Sequence, residues 1–234
     1  MQLAFGNQVV PIELADDQRV TYHRGPEALA DLHAATLVAL EQPFGFPPLR
    51  QALTPDDRIT VALGDDLPAL EPLLAALHQT LQQAGVTPEA VTLLRTTEHN
   101  PDDRAQLAYL ATTQGGRRVY LNRALVEADQ VIVVSARRFV TPGAESALFP
   151  VFSDAPTRAE AIEPEESREV AWLLGLPFHL QVIDAAGGGV AEVIAGAADA
   201  AREGERRRNA AWQARVPRRP DTVLVTTTPQ GTLA

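Results

Sequence analysis

Residues 58–95 read RITVALGDDLPALEPLLAALHQTLQQAGVTPEAVTLLR, and this stretch decides the predicted fold. Residues 58–63 are an apolar, β-branched run that is typical of a buried strand. Residues 68–84 have apolar side chains at helical spacing, and Gly85 follows where a helix commonly ends. Residues 91–95 form a second short apolar run. The order strand, helix, strand predicts a βαβ unit whose two strands lie parallel in one sheet.

Strands and helices alternate in the same way along the rest of the chain. The predicted helices are residues 27–41, 165–174 and 197–214, together with one that begins at Asp102 or Asp103 and reaches Ala111. The predicted strands are residues 118–121, 130–134, 178–183, 190–195 and 222–226, and residues 8–14 and 19–22 are predicted to form an opening hairpin around Asp16 and Asp17. This alternation indicates an α/β fold: a Rossmann-like, mostly parallel sheet with helices on both faces, in a three-layer sandwich.

The alternation predicts a single main domain over residues 1–216. The turn-rich residues 42–48, QPFGFPP, separate its first helix from the central βαβ unit. Residues 217–234 contain a last strand with no helix after it. We therefore interpret them as the first strand of a truncated C-terminal domain or as a tail.

The chain is acidic, with a formal net charge of −10 over its 234 residues and a pI of about 5.0. This charge argues against binding to nucleic acid or to an anionic membrane. The first residues lack a basic segment followed by an apolar stretch, so no signal peptide is predicted and we expect a cytoplasmic protein. The arginines between Arg202 and Arg219 are a local exception, which fits either the solvated face of a helix or a patch that binds phosphate or a partner.

Two residue types are missing from the sequence. It contains no cysteine, which excludes disulfides, thiolate nucleophiles and cysteine-ligated metals. Its 20 Lys and Arg residues are all arginines, so it has no lysine either. Schiff-base chemistry, a P-loop lysine and a cofactor tethered to a side-chain amine are therefore excluded.

Three loops lie where a parallel sheet of this kind binds ligands, beyond the carboxyl ends of its strands. Their candidate residues are Asp65 and Asp66 after the first strand, His99 after the second, and Ser135, Arg137 and Arg138 after the third. A histidine and a carboxylate can exchange protons with a substrate. Two arginines can hold an anion.

Each of these signals also has an ordinary structural explanation. Carboxylates between a strand and a helix are often caps, a loop histidine is often an exposed side chain, and paired arginines often form surface salt bridges. Glycine-rich nucleotide motifs, the nucleophile elbow and paired-histidine metal motifs do not occur in the sequence. No metal site is predicted from these residues alone.

Five blocks of the sequence occur in an order that resembles the N-terminal half of the lactate racemase family, whose members use a nickel-pincer nucleotide. The blocks are ALEQPFGFPPL at 39–49, RITVALGDD at 58–66, VTLLRTTEHNP at 91–101, VYLNRALVEADQVIVVS at 119–135 and LLGLPFHLQVI at 173–183. In the family, a D-x-T-R-P loop follows the strand of the second block, and A-T-G-x-H-R-P follows that of the third. The resemblance implies that residues 1–216 are a lactate racemase-like N-terminal domain.

The resemblance also implies an activity, which is the interconversion of 2-hydroxyacid stereoisomers by reversible hydride removal, with a histidine pair as general acid and base. Carried over to this sequence, His99 stands at the position of a catalytic histidine. Either Asp65 or Asp66 stands at the position of the family's loop aspartate. Ser135 begins the segment that bears the cofactor in the family.

The cofactor-bearing segment departs strongly from the family pattern. Residues 135–150 read SARRFVTPGAESALFP where the family has S-x-H, then G-F-S-G-G-x-K and P-G. The second histidine is replaced near Thr141, and the tethering lysine by Ser146 or a neighbour. No histidine lies between His99 and His179 to ligate nickel, and the arginine of the T-R-P loop has no counterpart. The cofactor of this chain, if it has one, is therefore unknown.

Two kinds of function follow from these observations. The first is a noncatalytic relative, or pseudoenzyme, that uses Arg137, Arg138 and strand-end amides to bind a small anion, a hydroxyacid or a nucleotide. Such a relative could also act as an accessory subunit with a protein partner or with further copies of itself. The alternative is an active isomerase, a 2-hydroxyacid racemase or epimerase, with a noncovalently held nickel-pincer cofactor or a partner chain. Because several catalytic groups are missing together, we favour the first.

Overall fold

The computed structural model describes residues 2–5, 8–11, 13, 25–139 and 143–213. Its strands are β1 (Gln2–Phe5), β2 (Gln8–Pro11), β3 (Ile59–Leu63), β4 (Val91–Arg95), β5 (Leu107–Thr112), β6 (Arg118–Asn122), β7 (Gln130–Ala136), β8 (Phe178–Asp184) and β9 (Val190–Gly196). Its α-helices are α1 (Leu32–Glu41), α2 (Leu49–Ala52), α3 (Leu70–Gln83), α4 (Arg123–Val126), α5 (Ala155–Arg158), α6 (Pro164–Leu173) and α7 (Ala198–Trp212). Within the described ranges, no helix is both long and apolar enough to cross a membrane.

Five strands form the central sheet, in the order β4-β3-β7-β8-β9. β3 pairs in parallel with β4 and β7, β7 pairs in parallel with β8, and β9 runs antiparallel to β8. Every residue of β3 is buried, and so are six of the seven residues of β7. A strand that is covered on both faces needs apolar side chains on both, which explains the unbroken apolar runs. The α/β class, with a mostly parallel sheet between helices, is confirmed.

Helices α1, α2 and α3 cover one face of the sheet. α3 buries Leu73, Leu77 and Leu81, which recur every four residues and so share one side of the helix. Leu77 and Leu81 join α1, α2, β3 and β7 in the largest apolar cluster of the described residues. Gly85 follows the helix with φ of +85°, a conformation that glycine adopts without strain and that ends the helix.

The opposite face is covered by α4, by a 3₁₀ turn at Ala144–Ala147 and by α7. The hydroxyl of Thr60 on β3 donates to the backbone oxygen of Ala124 at 2.7 Å and so ties α4 to the sheet. α7 lies over β8 and β9, and the residues that it buries are mostly small, Ala200, Ala201 and Gly204 among them. Small residues let its backbone approach the sheet closely.

Strands β5 and β6 form a separate antiparallel hairpin, and they correct one prediction. The sequence predicted a helix that reaches Ala111, but Leu107–Thr112 is a strand paired with Arg118–Asn122. Gly116, with φ of +84°, lies in the turn, and the rings of Tyr109 and Tyr120 pack across the strands. Cross-strand pairing therefore outweighs the helix propensity of the Ala and Leu residues.

The hairpin is held against α6 by charge and by apolar packing. Arg117 donates Nε–H to Glu166 at 2.6 Å and Nη2–H to Glu160 at 2.9 Å. Val119 and Leu121 of β6 pack with buried side chains that include Val170 of α6. The hairpin is thus fixed to the segment that leads into β8.

Two close contacts join segments that are far apart in the sequence. The backbone of Phe44 pairs with Gly196 at the end of β9. Gly196 has φ of +145°, and a Cβ there would lie 2.8 Å from the backbone nitrogen of Phe44. At the other end of α7, the ring of Trp212 lies against Gly25, where a Cβ would be 2.8 Å from the ring.

The predictions for the two ends of the chain have mixed outcomes. Residues 8–14 were predicted to pair with residues 19–22, but β2 pairs antiparallel with β1. Residues 19–22, the turn at Asp16 and Asp17, and the predicted strand at 222–226 lie outside the described residues. Gly187–Gly189, all with positive φ, form the turn between β8 and β9. The boundary between residues 216 and 217 stays a prediction.

Candidate functional site

The parallel topology brings three of the predicted residues, Asp65, Asp66 and Arg138, together at the carboxyl edge of the sheet. There, the hydroxyl of Thr96, after β4, donates to the carboxylate of Asp65, after β3. Arg138, after β7, donates to Asp184 at the end of β8, with Nε and Oδ2 2.6 Å apart. Its Nη2 also donates to the backbone oxygen of Asp66 at 2.8 Å. Four strand ends are therefore linked by polar contacts at one edge, which we call the strand-end crevice.

Asp65 and Asp66 do not cap the helix that follows them. Both carboxylates are exposed, and α3 begins only after Ala69, whose methyl group cannot accept a hydrogen bond. Asp66 and Ala69 have φ of +52° and +50°, which is uncommon for residues with a side chain. The first-turn N–H groups of α3 at this edge therefore lack a capping side chain, and they carry the positive end of the helix dipole.

His99 lies after β4, as predicted, but its side chain is buried away from the crevice. Nε2 lies 2.7 Å from the backbone oxygen of Ser153, to which it donates. Nδ1 accepts from Nδ2 of Asn122 at 3.1 Å, while Oδ1 of Asn122 accepts from the backbone of Ala124. Burial lowers the pKa of His99, so the ring is neutral near pH 7. Both of its nitrogens are occupied within the protein.

Ser135 is buried near the end of β7 and holds the segment that follows. Its hydroxyl oxygen accepts from the backbone N–H of Ala144 at 3.0 Å. Gly143 has φ of +66°, and a Cβ there would lie 2.8 Å from the backbone oxygen of Ala136. The backbone at Gly143 therefore packs tightly on the end of β7, and Ser146 lies in the 3₁₀ turn that follows Gly143.

Arg137 and Arg138 do not form one site, because consecutive residues at the end of a strand point to opposite faces. Arg138 lies in the strand-end crevice. Arg137 is buried beneath α7, where its Nη2 donates to the backbone oxygen of Ala201 at 2.8 Å and lies 3.8 Å from the carboxylate of Glu205. Only 8% of Arg137 is exposed.

Sequence reasoning gave little weight to His179 and did not select Gln181, two polar residues inside β8. Both are buried on the face that α7 covers, as neighbours of Val133 and Ser135 on β7. Among the described residues, Nδ1 of His179 and both amide atoms of Gln181 lack a hydrogen-bond partner. Burial and the charge of Arg137 lower the pKa of His179 to about 4. The signal available in the sequence was two polar residues alternating within an apolar strand.

The arginines of α7 are paired with carboxylates on or near the helix. Arg202 pairs with Asp199, Arg206 with Glu203, and Arg207 with Glu203 and Glu192. This pattern matches the solvated helix face that the sequence allowed. Arg215, Arg218 and Arg219 lie outside the described residues.

The side chains present do not fit a covalently held nickel-pincer nucleotide. The sequence has no lysine for the tether. His99 is fully engaged with protein atoms, and His179 lies beneath α7. In the part of the chain that the structure describes, no three His, Cys, Asp or Glu residues are grouped so that they could hold a metal ion.

Two surface grooves are lined by described residues, and the first of them reaches the strand-end crevice at Leu70 and Arg95. One, of about 680 Å³, runs between α3 and the edge strand β4 and is mostly apolar, with Leu74 and Leu93 in its wall. The other, of about 520 Å³, lies between the β5–β6 hairpin and α6 and is lined by glutamates. Neither contains a predicted site residue.

Comparison with known proteins agrees with the fold. No protein family model matches the chain, and no curated protein matches it in sequence. Among solved structures, the lactate racemase apoprotein from Thermoanaerobacterium thermosaccharolyticum is similar, with a TM-score of 0.65 and 14% identity, over 90% of this chain and 62% of that one. A protein from Thermotoga maritima has a TM-score of 0.49 and 11% identity, over 80% of this chain and 59% of its own. The chain thus spans less than two thirds of either structure, and its α/β fold is lactate racemase-like.

Proposed function

We propose that this chain is a noncatalytic protein of lactate racemase-like fold that binds a small anion, such as a hydroxyacid or the phosphate of a nucleotide. The observation that carries the proposal is the engagement of His99. Both of its ring nitrogens are bonded to protein atoms, Ser153 on one side and Asn122 on the other. A general acid or base must come within hydrogen-bond distance of its substrate. His99 could do so only by giving up one of these bonds.

The strand-end crevice offers two kinds of group to an anion. The first is the start of α3, where the N–H groups after Ala69 and the helix dipole favour negative charge. The second is Arg138, whose side chain is 25% exposed and is anchored to the backbone of Asp66 at the same edge. Asp184 partly neutralises Arg138. We therefore expect weak, salt-sensitive binding, with a dissociation constant on the order of 1 mM.

Catalysis is tested directly by two measurements on the purified protein. We expect metal analysis to find far less than one nickel per chain. Incubation with L-lactate, followed by chiral chromatography, should give no D-lactate above a protein-free control. Stoichiometric nickel together with racemisation would contradict the proposal and support the alternative, an active isomerase with a noncovalently held cofactor.

Binding is tested by the shift in melting temperature that a ligand causes. Inorganic phosphate, lactate and nicotinic acid mononucleotide should each raise the melting temperature as their concentration passes the dissociation constant. Arg138→Gln should remove most of the shift that phosphate causes. Arg168→Gln is the matched control, because Arg168 makes only exposed contacts within α6, with Glu165 and with the backbone oxygen of Pro164. Equal shifts in both variants would exclude Arg138 from the site, and no shift in the unmodified protein would contradict anion binding.

A further inference from the structure

The face of the sheet beneath α7 carries a strip of buried polar side chains. His179 and Gln181 lie on this face of β8, and Arg137 extends from the end of the neighbouring β7. Gly204 of α7 is opposite Gln181, because a Cβ at Gly204 would lie 2.7 Å from Oε1 of the amide. Arg137 bonds to Ala201, one turn earlier in the same helix. The guanidinium and the amide are therefore under adjacent turns of α7.

Two of these side chains lower the stability of the fold as it stands. His179 is 2% exposed and Gln181 is fully buried, yet Nδ1 of the first and both amide atoms of the second have no partner among the described residues. A buried polar atom without a partner is unfavourable, and an apolar side chain would avoid the loss. Leu180 and Val182 are such side chains on the other face of the same strand. Polar groups kept at a cost to stability point to a role in binding.

We propose that Arg137, His179 and Gln181 form a binding chamber beneath α7 for a small carboxylate that also carries a hydroxyl or a carboxamide group. This chamber is a second site, separate from the strand-end crevice, and the inference therefore goes beyond the proposed function.

The ligand class follows from the groups that the chamber presents. The amide of Gln181 offers a carbonyl acceptor next to an N–H donor, and a single hydroxyl can accept from one and donate to the other. Arg137 supplies the positive charge that a carboxylate requires. Because burial and Arg137 keep the pKa of His179 near 4, its imidazole is neutral and adds one more polar contact without a second charge.

Entry to the chamber requires α7 to move outward. The helix is attached by polar contacts, Arg207 with Glu192 on β9 and Arg208 with the backbone oxygen of Arg138 at 2.7 Å, and by apolar packing of Ala200 on Ile183 and Ile194. Gly204 contributes no side chain to the packing over Gln181. α7 is thus a cover whose contacts re-form over a bound ligand. Amide hydrogen exchange of α7 should slow when the ligand is present.

The ligand class is tested with three molecules of similar size: glycolate, acetate and glycolamide. Each is titrated into ¹⁵N-labelled protein while the side-chain amide resonance of Gln181 is followed. Glycolate should shift this resonance. Acetate lacks the hydroxyl and glycolamide lacks the charge, so each should bind about tenfold more weakly. A Gln181 resonance that responds to none of them would mean that an internal water occupies the strip, and the proposal would be overturned.

Three variants separate this chamber from the strand-end crevice. Gln181→Leu should abolish glycolate binding, measured by calorimetry, whereas Thr80→Val should not. Thr80 is the matched control because it is also buried, lies on the opposite face and already donates to Ala76. Glycolate binding that survives Gln181→Leu but is lost in Arg138→Gln would place the anion in the crevice and overturn the chamber alone. Failure of glycolate, phosphate and lactate to bind the unmodified protein would overturn both proposals.

Discussion

Asn122 donates its side-chain N–H to Nδ1 of His99 at 3.1 Å, and this contact sets the tautomer of the histidine. The amide of Asn122 is oriented by Ala124, whose backbone N–H donates to Oδ1 at 3.0 Å. Nδ1 of His99 is therefore an acceptor, and Nε2 carries the proton that is donated to Ser153. The histidine joins the end of β4, the end of β6 and the segment before α5 into one network.

This network predicts that His99 contributes to stability. His99→Leu should lower the free energy of unfolding by about 2–4 kcal/mol, because the Ser153 oxygen and the Asn122 amide would be left buried without partners. His78→Leu is the control, since His78 is exposed on α3 and should change stability by less than about 0.5 kcal/mol. Urea unfolding measures both. A cycle with Asn122→Ala should give a coupling of roughly 1 kcal/mol, and zero coupling would disprove the contact.

We expect the protein to lose stability in acid because the imidazole of His179 is buried. Its pKa is about 4 in the folded protein against 6.5 for the free side chain, so the unfolded chain binds its proton more readily. At neutral pH the imidazole is neutral in both the folded and the unfolded protein. As pH falls from about 6.5 to about 4, the unfolded chain takes up the proton while the folded protein does not, so the free energy of unfolding should decline by about 3 kcal/mol in all.

The measurement is urea unfolding at several pH values across that window, for the unmodified protein and for His179→Gln. Carboxylates also titrate at its lower end, so the difference between the two proteins is the relevant quantity. The stability of the unmodified protein relative to His179→Gln should therefore fall by about 3 kcal/mol between neutral pH and pH 4, because only the unmodified protein loses stability when a buried imidazole must carry a charge. A pH profile that is parallel in the two proteins would refute the assignment.

We expect Arg117 to contribute more to stability than a residue in a typical surface ion pair. Its side chain is 25% exposed and contacts two carboxylates, Glu166 of α6 and Glu160 in the segment before α6, and so joins the β5–β6 hairpin to this part of the chain. Arg117→Ala should therefore destabilise the protein by about 1–2 kcal/mol. Arg168→Ala, which removes an exposed i,i+3 contact with Glu165, should cost no more than about 0.5 kcal/mol. Equal effects in thermal unfolding would show that the hairpin does not depend on Arg117.

Replacing Gly196 by alanine should lower stability through a steric clash, and this effect can be separated from backbone strain. An alanine Cβ at this position would meet the backbone of Phe44, which cannot move without breaking its contact with β9. Gly188 also has positive φ, +104°, but has nothing within 4 Å of such a Cβ. Gly196→Ala should therefore lower the melting temperature clearly more than Gly188→Ala, which bears only the strain of about 1–2 kcal/mol. Similar losses would mean that Phe44 can yield.

The central sheet could be predicted because its strands carry their own signal. β3 and β7 are apolar on both faces, and the amphipathic α3 lies between β3 and β4 in the chain. The helix predicted to reach Ala111 was wrong for the opposite reason. Residues 107–112 become a strand through pairing with β6, and that pairing depends on contacts which local propensity does not record.

The candidate site was predictable in position more than in detail. Topology alone brings Asp65, Asp66 and Arg138 to one edge, because parallel strands end on the same side of a sheet. The burial of His99 depends on Ser153, which lies 54 residues further along the chain, so no local pattern could reveal it. The separation of Arg137 from Arg138 follows from the alternation of side chains along a strand, and it could have been read from the sequence.

The contact between Gly25 and Trp212 brings the two ends of the segment 25–212 together. Residues 25 and 212 lie side by side, so a short peptide could join them. New ends could then be opened at the Gly115–Gly116 turn, where a side chain on Gly116 would meet no atom within 4 Å. A circular permutant built in this way should keep the same sheet order. Because its two ends are adjacent, the segment 25–212 could also be inserted into a surface loop of a carrier protein without distorting that loop.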